Sequence, residues 1–137
     1  MENIQNLLKP KVKEFDINFS NKSDPEIFNV NYDLWTLKIT LAFSDHPSLV
    51  YVIFKNVVGF RVLDESNLLE FWNLEERIPG WIWKIESGGW FELEKLRSGF
   101  LVQNHSISHN EYLILGINDC VSVISESEPI IIDIEQK

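Results

Sequence analysis

Between Trp35 and Phe43 the chain alternates strictly: Trp35, Leu37, Ile39, Leu41 and Phe43 are separated by Thr36, Lys38, Thr40 and Ala42. Successive side chains of an extended strand point to opposite faces, so this pattern predicts a strand with one face on a core and the other toward water. Asp45-His46-Pro47-Ser48 then interrupts the run, because proline lacks an amide donor and aspartate and serine favour turns. Leu49 to Phe54 resumes with β-branched and aromatic residues, which predicts a hairpin.

Similar signals recur along the chain. Phe28, Val30 and Tyr32 alternate, and Phe60 to Leu63 reads as a further strand. Trp81, Trp83 and Ile85 alternate with Ile82, Lys84 and Glu86, and Gly88-Gly89 can supply the positive φ angles of a tight turn. Phe91 and Leu93 alternate with Glu92 and Glu94 beyond that turn. Gly99 to Val102, Glu111 to Ile117 and Cys120 to Ile124 read as later strands, the last two joined at Asn118-Asp119. Pro129 precedes a final apolar run, Ile130 to Ile134. One segment reads as a helix: Asp64 can cap it, Leu68, Phe71 and Trp72 share one helical face, and Pro79-Gly80 stops it. Residues 1–32 mix polar and isolated apolar positions and read as an irregular N-terminal arm. The prediction is a single α+β domain over residues 1–137, a twisted, mainly antiparallel sheet of about six to eight strands with one main helix packed on one face.

A chain of 137 residues can bury roughly two-thirds of its unfolded surface, so it needs no disulfide or structural metal to fold. Its single cysteine, Cys120, sits in an apolar run; the expectation is a buried, inert thiol and a reducing compartment. The N-terminal residues lack the apolar core of a signal peptide, and no stretch approaches the roughly 20 apolar residues that span a bilayer. A cytoplasmic location is expected.

The formal net charge is −9. Residues 1–68 hold seven Lys/Arg against nine Asp/Glu, and residues 69–137 hold five against twelve, so the second half carries most of the excess. Phosphate backbones and anionic membranes repel such a surface, which argues against direct nucleic-acid or membrane binding. A basic protein is the natural complement, since opposite charge steers encounter; plain solubility accounts for the same charge equally well.

Candidate chemistry is sparse. His105 and His109 are four apart, but in a strand or loop that spacing separates them by about 13 Å, so solvated histidines are expected rather than a metal site. His46 beside Asp45 reads as a turn histidine before Pro47. A Ser/His/Asp triad can assemble from distant positions, yet no G-x-S-x-G elbow, phosphate-binding Walker loop or G-x-G-x-x-G is present. No enzyme, cofactor or metal is implied.

The unusual region runs from Glu70 to Glu94, where Trp72, Trp81, Trp83 and Trp90 stand among Glu70, Glu75, Glu76, Glu86, Glu92 and Glu94. Aromatic rings beside carboxylates suit an interface that meets arginine- and lysine-rich surface. The plainer reading makes the tryptophans core and the glutamates their solvated outer face. Trp90, after the double glycine, is the indole most expected to be exposed.

Five pieces together, Asp33-Leu34-Trp35-Thr36-Leu37, Phe60-Arg61-Val62-Leu63-Asp64-Glu65, Glu86-Ser87-Gly88-Gly89-Trp90, Glu111-Tyr112-Leu113-Ile114 and Asp119-Cys120-Val121-Ser122-Val123, give the chain a likeness to a group of known proteins. It resembles small bacterial proteins of unassigned activity, some of them found with polymorphic or contact-dependent toxins as immunity proteins. The resemblance spans about residues 33–131 and implies an inhibitor of a cognate toxin, usually a nuclease whose basic active site is covered by an acidic surface. On the residues themselves, Glu75, Glu76, Glu86, Trp90, Glu92 and Glu94 are the expected partner contacts. Two alternatives stand beside it: a small enzyme or ligand-binding domain with a tryptophan-lined pocket, and a general scaffold protein without a toxin.

Overall fold

A computed structural model of the chain describes residues 10–15, 24–64, 78–96 and 109–134. Among these residues nine strands and one short helix follow in order: β1 (Lys11–Glu14), β2 (Glu26–Tyr32), β3 (Thr36–Ala42), β4 (Val50–Lys55), β5 (Val57–Asp64), β6 (Ile82–Ser87), α1 (Trp90–Lys95), β7 (Asn110–Leu115), β8 (Asp119–Ser125) and β9 (Ile130–Asp133). They form two antiparallel sheets, one in the order β1-β6-β7-β8-β5 and one in the order β2-β3-β4-β9.

The alternation in β3 does what the sequence implies. Leu37, Ile39 and Leu41 are fully buried, and Val50, Val52 and Phe54 of β4 lie in the same layer. Ile82, Tyr112, Ile114, Val121 and Val123 of the five-stranded sheet complete this core. Burying each such aliphatic or aromatic side chain contributes roughly 1.5–3 kcal/mol. Ring contacts stitch the sheets together, Phe43 against Trp81 at 5.4 Å, Phe54 against Tyr112 at 5.5 Å and Tyr32 against Phe60 at 5.2 Å.

The five-stranded sheet is buried on its other face as well. Trp83, Ile85, Leu113, Leu115 and Cys120 form a second cluster there, with Val12, Leu63 and Ile78 packed against it. This explains why β7 and β8 read as nearly continuous apolar runs instead of alternating ones. Cys120 is buried, as expected.

Two strands change sheets at one corner. β4 becomes β5 through the single residue Asn56, whose φ is 56°, a left-handed conformation that asparagine tolerates. Beside it the chain leaves β8 for β9. Ser125 Oγ and Ser127 Oγ both donate to the Lys55 carbonyl, at 3.0 and 2.7 Å, and the Glu126 amide donates to the Asn56 carbonyl at 3.2 Å.

Several expectations are corrected. The strands divide into two sheets where one was expected, because the corner at Asn56 redirects the chain between layers. Part of the supposed irregular arm is strand: β1 pairs with β6, and β2, which the alternation of Phe28, Val30 and Tyr32 suggests, pairs with β3. Gly88-Gly89 leads into α1 and not into a hairpin. Gly88 has φ 76°, and a Cβ on Gly89 would stand 2.7 Å from Glu111 Oε2 and 2.8 Å from Ile85 Cγ2. The helix expected to follow Asp64 and the strand expected at 99–102 lie outside the described residues. Among the described residues, no helix is long and apolar enough to cross a membrane.

Candidate functional site

One end of the structure gathers the candidate residues. Register places Thr36 opposite Lys55, Ser125 opposite both Val57 and Asn110, and Ile85 opposite Glu111. The β2–β3 turn, the Asn56 corner, the start of β7, the end of β6 and α1 therefore lie at the same end.

α1 is held there by Glu111. Its Oε2 accepts the Trp90 amide at 3.0 Å and its Oε1 the Phe91 amide at 2.8 Å, which satisfies two of the donors that a helix start leaves open. Glu111 is 2% exposed. Burial raises its pKa above the ordinary carboxylate value, outweighing the two amides and the Arg61 charge that pull it down.

Of the six expected partner contacts, Glu86, Trp90, Glu92 and Glu94 come together around α1, and each already has a partner in the chain. Glu86 Oε1 lies 3.5 Å from Lys13 Nζ, and Glu92 Oε2 lies 3.5 Å from Lys95 Nζ. The Trp90 indole N–H donates to Glu94 Oε1 at 3.0 Å, and the Arg61 guanidinium lies 4.9 Å from the centre of the Trp90 ring. Trp90 is thus half-buried and not the exposed indole expected. Glu75, Glu76 and Trp72 lie outside the described residues. Trp81 and Trp83 are core, as the plainer reading has it, with the Trp83 indole donating to the Pro79 carbonyl at 3.1 Å.

Next to α1 is a cleft of about 320 Å³, lined by Lys13, Lys84 and Lys95 together with Glu86, Glu92 and Glu111. Ile85, Phe91, His109 and Asn110 complete its wall. His109 is not the solvated histidine expected: its side chain is 4% exposed, Nε2 lies 3.7 Å from Glu126 Oε1, and its ring is 5.9 Å from Phe91. His105 lies outside the described residues.

Among the described residues, the exposed indole is Trp35. Leu34 and Trp35 form the tip of the β2–β3 turn and are 76% and 81% exposed. Asp33 Oδ1 accepts the amides of Trp35 at 3.0 Å and Thr36 at 2.7 Å, and these bonds, Thr36 foremost, hold the Asp33 carboxyl below its ordinary pKa. Leu34 carries φ 78°, a conformation costing an L-residue with a side chain roughly 1–2 kcal/mol. Trp35 was expected on the core face of β3. The strand starts one residue later, and the aspartate-capped turn carries Trp35 outward. Asp33-Leu34-Trp35-Thr36 holds the signal that could have shown this, an aspartate whose carboxylate reaches the amides two and three residues on.

A serine, a histidine and an aspartate also meet. His46 Nε2 lies 2.9 Å from Asp133 Oδ2, Ser48 Oγ donates to Asp133 Oδ1 at 2.6 Å, and Ser48 Oγ is 2.9 Å from the same His46 Nε2. In a catalytic triad the aspartate and the serine use different ring nitrogens, so that one fixes the tautomer while the other takes the serine proton. Here both share Nε2 and the serine proton goes to aspartate, so the cluster is a clamp. His46 is part-buried against Asp133 across the fold.

Compared with protein-family models, curated proteins and solved structures, the chain finds no match in any of the three.

Proposed function

We propose that this chain is a binding protein of the immunity type, one that neutralises a cognate bacterial toxin domain by covering its basic active site, a nuclease being the best fit. The observation that carries the reading is the β2–β3 tip. An indole and a leucine are held in water, on a backbone whose left-handed residue is itself unfavourable, by an aspartate that fixes the turn. Burying Trp35 and Leu34 in a partner's pocket would recover the apolar area left exposed. Tryptophan is enriched among the residues that dominate interface energies, and a pre-ordered turn loses little freedom on binding.

The carboxylates at the same end, Asp33, Glu86, Glu92, Glu94 and Glu126, with the net charge of −9, support a basic partner. This reading moves the anchor from Trp90 to Trp35 and keeps the glutamates as its charged surround, with Glu75 and Glu76 still proposed as contacts. The test is co-expression with a toxin encoded beside its gene. Growth should be restored by the wild-type chain and not by Trp35→Ala, and association should slow as salt rises. A complex that ignores both Trp35→Ala and salt would end the proposal.

One observation favours a second reading, a ligand-binding domain: the cleft beside α1 is concave and brings His109 together with Glu86, Glu92 and Glu111. No tryptophan lines it, so it is not the pocket expected from the sequence.

A further inference from the structure

Lys13 and Lys84 occupy directly opposed positions in the β1–β6 pair. Like charges so placed weaken a sheet. Glu86 answers one of them, its Oε1 lying 3.5 Å from Lys13 Nζ. Lys84 has no ion-pair partner among the described residues, although it is half-buried and lines the cleft beside α1. A lysine can lay its stem along such a surface and keep its ammonium at the mouth, where a charge unanswered within the chain can meet an anion. Its neighbours Ile82, Trp83 and Ile85 show that the strand accommodates apolar residues on either side of it.

We propose that this cleft binds a small organic monocarboxylate, with Lys84 as the cation that meets it. Glu86 and Glu92 answer Lys13 and Lys95, and both oxygens of Glu111 are taken by the Trp90 and Phe91 amides. Lys84 is thus the lysine of the lining left without an ion-pair partner among the described residues, and its one positive charge calls for one negative charge. The Asn110 amide and the His109 imidazole line the same cleft and supply hydrogen-bonding groups, and Ile85 and Phe91 supply an apolar wall for the body of the ligand. Glu86, Glu92 and Glu111, also in the lining, oppose a doubly charged phosphate more strongly than a singly charged carboxylate. The volume of about 320 Å³ lies at the lower end of the range for small-molecule sites. The site is independent of the toxin reading, which rests on the Trp35 tip.

Benzoate and butyrate are the probes, followed by calorimetry and by amide NMR shifts, with inorganic phosphate and butylammonium as controls. Both carboxylates should bind saturably, with shifts concentrated at residues 84–86, 91–92 and 109–111, and both controls should fail. Lys84→Met should weaken binding at least tenfold while its unfolding midpoint stays at or above that of the wild type, since it removes an opposed like charge. Lys55→Met, on the exposed end of β4, should bind as the wild type does. Absence of saturable carboxylate binding, equal binding of phosphate, or wild-type affinity in Lys84→Met would overturn the proposal. A lower unfolding midpoint for Lys84→Met would also overturn it, by showing that the lysine serves the fold.

Discussion

His46 Nε2 lies 2.9 Å from Asp133 Oδ2, so an imidazole of the β3–β4 loop is fastened to the strand that completes the four-stranded sheet. β9 has four residues and pairs, among the described strands, with β4 alone. His46→Ala removes a partly buried hydrogen bond to a carboxylate and is expected to cost about 1.5–3 kcal/mol. Hydrogen exchange at residues 130–133 should speed up accordingly; unchanged exchange there would show that the clamp does not hold the strand.

Glu111 gives α1 its start by accepting two amides with two oxygens. An amide side chain offers one acceptor and turns donors toward the other N–H. Glu111→Gln is therefore expected to lower stability by about 1–3 kcal/mol, the cost of leaving a buried polar group unmatched. Denaturant unfolding measures the loss, and the amides of Trp90 and Phe91 should exchange fastest of all those in α1. A variant as stable as the wild type would show that the carboxylate is not needed there.

Tyr112 is fully buried between the sheets, and its hydroxyl has no hydrogen-bond partner among the described residues. Burial, with a smaller contribution from Glu128, pushes its pKa up from 10.0 to about 12. Because the folded state holds this proton more tightly than the unfolded chain, the contribution is complete below pH 10 and is lost as pH rises toward 12. Tyr112→Phe should be at least as stable as the wild type at neutral pH and should lack that part of the alkaline loss. Parallel unfolding curves for both proteins from pH 9 to 12, with no difference in slope, would contradict this.

Trp35 is the exposed indole among the described residues, while Trp81 and Trp83 are buried. Acrylamide, a neutral quencher, should reach it first. Trp35→Phe is expected to reduce the quenchable fraction of the fluorescence and to shift the remaining emission to the blue. Identical quenching in both proteins would mean that Trp35 is covered in solution, removing the support the tip gives to a partner interface.

The parts of this fold that were legible in the sequence are those set by local periodicity. β3 followed from alternation, and β4 from its β-branched and aromatic run after the Asp45–Ser48 turn; the apolar run after Pro129 is β9. α1 was misread as a strand because its start is set by a carboxylate 20 and 21 residues further along the chain, which no local window contains. The division into two sheets was hidden for a similar reason: one asparagine in a left-handed conformation redirects β4 into β5, and its identity alone does not announce a corner. At the candidate site, charge drew attention to Glu86, Glu92 and Glu94, but their lysine and indole partners come from β1 and from the next turn of α1. Lys84 passed as an ordinary outward residue of an alternating strand. Only the pairing of β1 with β6 sets it opposite a second lysine.

The exchange of strands at Asn56 bears on how the protein is made. β4 needs β9 as its outer neighbour and β5 needs β8, so each of these early strands waits for a segment encoded 55 to 83 residues later. The five-stranded layer cannot close until Asp119–Ser125 has been translated, nor the four-stranded one until Ile130–Asp133, and the emerging chain carries open strand edges up to those moments. Folding should accordingly be slow and late, governed by distant contacts, and the half-made polypeptide is the form most exposed to aggregation.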